Sequence, residues 1–97
     1  MPDTTLFLAA AERAADRFRA MPAGKLSQLA PAGLKLARAF ARMAGAPTEL
    51  PDVGMYVVGD QIALTAHDLA FELERRDDED AERLLSEALE RLRGVAP

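Results

Sequence analysis

The chain has 97 residues, the length of one domain, with no cysteine, no tryptophan, one histidine and a formal net charge of −4. Without cysteine it cannot form disulfides, thiolate zinc sites, iron–sulfur clusters or a cysteine nucleophile. The strong helix formers Ala (20) and Leu (14) supply most of its apolar residues, whereas only 4 Val, 1 Ile and 4 Thr favour strands. This composition predicts an all-α fold.

Apolar residues at steps of three and four predict a first helix over about residues 4–21, ended by residues 22–24, where Gly24 would take the left-handed geometry of a helix end. The next apolar stripe contains Pro31, which cannot donate the hydrogen bond that a helix interior requires. We therefore expect a short turn over residues 26–29 and a separate helix that has Pro31 in its first turn and stops at Gly45.

The Pro-rich segment 44–54 is predicted to link two helical halves of a single domain spanning 1–97. Residues 55–58 could form a strand, but the helical spacing continues through them and favours a helix over about 55–76. If Gly59 interrupts that helix, the residue after it is the natural cap of a shorter one.

Acidic residues at 77–80 and basic residues near Gly94 suit the two ends of a last helix, because they complement its dipole. Four helical segments with short connections predict a small bundle of two antiparallel hairpins. Because much of the apolar content is small alanine, the core is modest, and we expect the protein to form a homodimer.

The helix over 55–76 carries a main apolar stripe and a second line through Leu64, His67 and Phe71. A surface helix needs only one stripe, so two indicate either a central position in the bundle or a face that contacts another chain. We predict an interface at Leu64, His67 and Phe71, with Met55 and Tyr56 at its rim; burial within one chain is the alternative.

Charge is divided unevenly along the chain: residues 1–43 carry +4 and residues 44–97 carry −8. The predicted electrostatic surface consists of two groups of cations at helical spacing, Lys35, Arg38 and Arg42 in one and Arg13 and Arg17 in the other. These cations could bind phosphate groups, or they could face the acidic last helix within the fold or across a dimer. The net negative charge argues against a nucleic-acid partner.

Catalytic chemistry has little support in this sequence. His67 beside Asp68 is the one pair typical of acid–base work, but its helical neighbours offer no nucleophile or second ligand. No metal or cofactor motif is present, so we expect neither a metal nor a cofactor, and no enzyme activity.

We therefore predict a small regulatory or interaction protein that docks helix faces on another protein. The alternatives are a nucleic-acid-associated regulator and a binder of a small apolar ligand lined by Phe40, Met43 and Leu69. The longest apolar run has six residues and the first residues carry no positive side chain, so we expect no membrane association and a cytoplasmic location.

Overall fold

A computed structural model describes residues 2–76 and 78–95, and these residues form four α-helices and no strand. The helices are α1 (Thr5–Ala20), α2 (Ala23–Met43), α3 (Val58–Glu74) and α4 (Glu79–Gly94). A 3-10 turn at Met55–Val57 leads directly into α3, so the ambiguous segment is helical. The all-α bundle is confirmed.

Short-range hydrogen bonds explain where several helices begin and end. The Thr5 hydroxyl and backbone N–H donate to the Asp3 carboxylate at the start of α1 and lower the pKa of Asp3. Asp78 caps α4, because its Oδ1 accepts the backbone N–H of Ala81 at 2.8 Å. Helix α2 ends at Met43, two residues before the predicted stop at Gly45, which has φ +87°. The acid predicted at Asp77 lies outside the described residues.

Helix α3 lies between α1 and α2. It runs antiparallel to α1, because Thr4 donates a hydrogen bond to Glu74 at one end while Arg19 pairs with Asp60 at the other. The backbones of α1 and α2 hardly approach one another. Their large side chains do meet: the rings of Phe7 and Phe40 pack edge to face with centroids 5.3 Å apart.

One continuous core joins all four helices. Helix α3 buries ten of its seventeen residues, whereas α4 buries four of its sixteen. Helix α4 contacts the other three helices and completes the core. The largest fully buried side chains are Phe7, Phe18, Phe40, Ile62, Leu69 and Leu73.

The predicted break at Pro31 is wrong, because α2 continues through it for 21 residues. The buried positions Leu26, Ala30 and Gly33 keep the helical phase on both sides of this proline. Burial of that unbroken stripe outweighs the loss of one backbone hydrogen bond, and Pro31 itself faces solvent.

Gly24 is a second correction, because it is the second residue of α2 and has no positive φ. Residues 21 and 22 alone make the turn, with Met21 extended at φ −68° and ψ 138°. Similarly, Gly59 does not interrupt the third helix but lies inside it, so Asp60 is not a cap.

The segment 44–54 has no helix and is tied to the helices on both sides of it. Arg38 Nε donates to the carbonyl oxygen of Leu50 at 2.8 Å, and Gln61 Nε2 donates to that of Pro51 at 2.9 Å. In residues 2–76 and 78–95, no helix combines the length and the hydrophobicity that crossing a bilayer requires.

Candidate functional site

The outward face of α3 is a line of exposed residues that we call the α3 stripe. It is the part of this helix that the other helices leave uncovered, and at its centre the side chains of Leu64 and Phe71 are 60% and 65% exposed. The full stripe consists of Asp60, Leu64, His67, Asp68, Phe71 and Arg75. Leu64, His67 and Phe71 therefore lie on one surface, and burial within the chain does not apply to them.

Polar groups flank the two apolar residues of the stripe. Asp60 accepts hydrogen bonds from Arg19, and this contact raises the pKa of the Arg19 guanidinium. At the other end, the guanidinium of Arg75 lies 5.9 Å from the centre of the Phe71 ring, a cation–π distance. The stripe thus carries two apolar residues, one on either side of His67 and Asp68, and opposite charges at its two ends.

His67 is paired with a residue that the sequence did not indicate. Its Nε2 lies 3.0 Å from Oε1 of Glu12 on α1, while both side chains remain about half exposed. An exposed pair of this kind contributes little stability. Within residues 2–76 and 78–95 no cluster of three metal-ligating side chains occurs, so the pair is not part of a larger His and carboxylate group.

The structure separates Met55 from the stripe. Met55 is half-buried and lines a groove with Pro31 and Leu34 of α2, together with Arg38. Tyr56 is 72% exposed on the 3-10 turn before α3.

A second surface lies between α1 and α4, and we call it the α1–α4 groove. Its volume is about 330 Å³, and its apolar wall includes Leu6, the most exposed large apolar residue at 77%. Three guanidinium groups border it. The lining consists of Leu6, Ala10, Arg13, Arg17, Leu89, Leu92 and Arg93.

The arginines on the α1 side of this groove form no ion pair in the described part of the chain. No carboxylate of residues 2–76 or 78–95 lies within ion-pairing distance of Arg13 or Arg17. Both lie beside α4, but at its basic end, where Arg93 pairs with Glu90. The groove is therefore cationic although the whole chain is acidic.

The other predicted cations are on α2 and do not border this groove. Lys35 and Arg42 are exposed, whereas Arg38 is engaged with the carbonyl of Leu50 and lies 3.7 Å from Glu49. The predicted electrostatic residues thus fall into two separate surfaces.

The residues suggested to line an apolar ligand site are packed against one another in the core. Phe40 and Leu69 are fully buried, and Met43 is packed against the same cluster. A ligand between them would have to open the core.

Sequence reasoning missed Leu6, Leu89 and Arg93 as possible contact residues. The signal on α1 was present, since Leu6, Ala10, Arg13 and Arg17 follow one another at steps of four, three and four. This spacing defines one face of α1, but the sequence does not say which helix lies beside that face, so the groove could not be predicted.

Comparison with models of known protein families, with curated proteins and with solved structures finds no match for this chain.

Proposed function

We propose that this chain is a protein–protein interaction protein that binds another protein through the α1–α4 groove. The observation that carries the proposal is that one groove combines an exposed apolar wall with two arginines that form no ion pair with any carboxylate of residues 2–76 or 78–95. The partner segment of complementary chemistry is an acidic amphipathic helix, which places apolar side chains in the groove and carboxylates against the guanidinium groups.

The dimensions of the groove support a helical occupant. Along α1 it extends from Leu6 to Arg17, eleven residues or about 16 Å of helix at 1.5 Å per residue. That length matches about three turns of a partner helix. Regulation by docking, rather than catalysis, is the function that these features favour.

The test is affinity purification from the native lysate with the wild-type protein and two charge-reversal variants, at low and at moderate salt. Arg13→Glu combined with Arg17→Glu reverses the two α1 cations of the groove, whereas Lys35→Glu combined with Arg42→Glu is the matched control on α2. Captured proteins are identified by mass spectrometry, and chemical cross-linking locates the segment of each that contacts this chain.

We expect the groove variant to lose at least about 90% of a captured protein that the control variant retains, and the cross-linked segment to be acidic and amphipathic. Rising salt should weaken capture, because the arginines are exposed. Equal loss in both variants would refute a role for the groove. Capture that disappears on nuclease treatment would instead support the nucleic-acid alternative.

A further inference from the structure

We propose that a second copy of this chain docks on the α3 stripe, with the two α3 helices packed antiparallel about a two-fold axis. This inference goes beyond the proposed function, because the α3 stripe is separate from the α1–α4 groove and the partner is a different one. It rests on the arrangement of four side chains along the α3 stripe: Asp60, Leu64, Phe71 and Arg75.

The apolar centre of the stripe has the spacing that a two-fold contact needs. Leu64 and Phe71 are seven residues apart, or about 10 Å along the helix, and the midpoint between them falls at His67 and Asp68. An antiparallel pair of helices centred on that midpoint places Leu64 of each copy opposite Phe71 of the other. Each copy then covers the apolar residues that its own fold leaves exposed.

The charges at the ends of the stripe select this direction. In the same antiparallel register, Asp60 of one copy faces Arg75 of the other. A parallel pair would instead place each charge opposite its own duplicate. Opposite charges at the ends of the stripe therefore meet only in the antiparallel arrangement, which is self-complementary at four positions, 60, 64, 71 and 75.

The ion pairs that Asp60 and Arg75 already make do not prevent this contact. Asp60 with Arg19 and Arg75 with Glu72 are exposed pairs, and pairs of that kind exchange partners at little cost. A contact made mainly by one helix pair buries less surface than an obligate dimer, so we expect a dissociation constant on the order of 100 µM.

The test is sedimentation equilibrium of the wild-type chain from about 10 µM to 1 mM at low salt, with three further samples: Asp60→Arg, Arg75→Asp and an equal mixture of the two. Each variant alone places like charges opposite one another at both ends of the dimer. In the mixed dimer, both ends regain opposite charges.

We expect each variant to dissociate about tenfold more readily than the wild type and the mixture to recover most of that loss. Circular dichroism melting checks that every variant is folded. A wild-type chain that stays monomeric throughout would refute the dimer, and a dimer that the mixture does not restore would refute the register.

The absence of cysteine allows a second measurement that does not depend on charge. On oxidation, an equal mixture of the Leu64→Cys and Phe71→Cys variants should form a disulfide-linked dimer. Either variant oxidised alone should form little of it. Cross-linking of each variant with itself would support a parallel contact and refute the proposal. The groove variant with Arg13→Glu and Arg17→Glu should dimerise like the wild type. A failure of the proposed partner binding at the α1–α4 groove can therefore be distinguished from a failure of the proposed dimer at the α3 stripe.

Discussion

At the residue level, Gly59 is the position that fixes how closely α1 and α3 pack. A Cβ atom at Gly59 would lie 2.8 Å from the backbone oxygen of Ala15, whereas a Cβ at Gly24 would meet nothing within 4 Å. The two glycines are otherwise matched, because each is the second residue of its helix. Only at Gly59 do the surroundings leave no room for a side chain.

Replacing each of these glycines by alanine should therefore change stability in opposite directions. Gly59→Ala forces α1 and α3 apart and should lower the free energy of unfolding by about 1–3 kcal/mol. Gly24→Ala should leave it unchanged or raise it by up to about 1 kcal/mol, because alanine favours the helix. Urea titration followed by circular dichroism measures both; equal effects would show that the close approach at Gly59 is not needed.

The contact between Glu12 and His67 is a feature that could not be predicted from the sequence. The two residues are 55 positions apart and belong to different helices. A helical repeat places each of them on a face of its own helix but carries no information about the neighbouring helix. The helical spacing therefore predicted that Leu64 and Phe71 share one face of α3. It could not predict that Glu12 of α1 lies beside that face.

At the level of the elements, α2 keeps a proline in its ninth position. Pro31→Ala should raise the free energy of unfolding by about 1–3 kcal/mol, since it restores a backbone donor and removes the clash of the ring with the preceding turn. The control is Pro47→Ala in the exposed segment 44–54, which should change stability by no more than about 0.5 kcal/mol and in the destabilising direction. Thermal melting compares the two. No gain at Pro31 would mean that α2 accommodates the proline without a measurable loss of stability.

Most helix boundaries could be predicted from the sequence, because apolar spacing and end signals are local. The acidic run at 77–80 and the glycine at position 45 are both local signals. Asp78 of that run caps α4, and α2 ends two residues before Gly45. The error at Pro31 has a tertiary cause, since Gly33 is buried against Phe18 of α1 and Val58 of α3. The same limit applies to the grooves, which exist only where two helices meet.

At the level of the whole molecule, burial is concentrated in α3, which packs against both α1 and α2. Hydrogen exchange measured by mass spectrometry should therefore find the slowest amides in α3 and faster exchange in α4, which has the smaller buried face. At concentrations where the α3 stripe associates, protection of α3 should rise further. Uniform exchange over all four helices would show that the fold opens only as a single unit.

The central position of α3 also has a consequence for the synthesis of the chain. Helices α1 and α2 leave the ribosome first, yet their backbones scarcely meet, and the helix that packs between them is made third. Thr4 obtains its hydrogen-bond partner only when Glu74, seventy positions later, has been added. The nascent chain must therefore carry two amphipathic helices with open apolar faces until α3 emerges, and it folds only after α3 has been made rather than helix by helix.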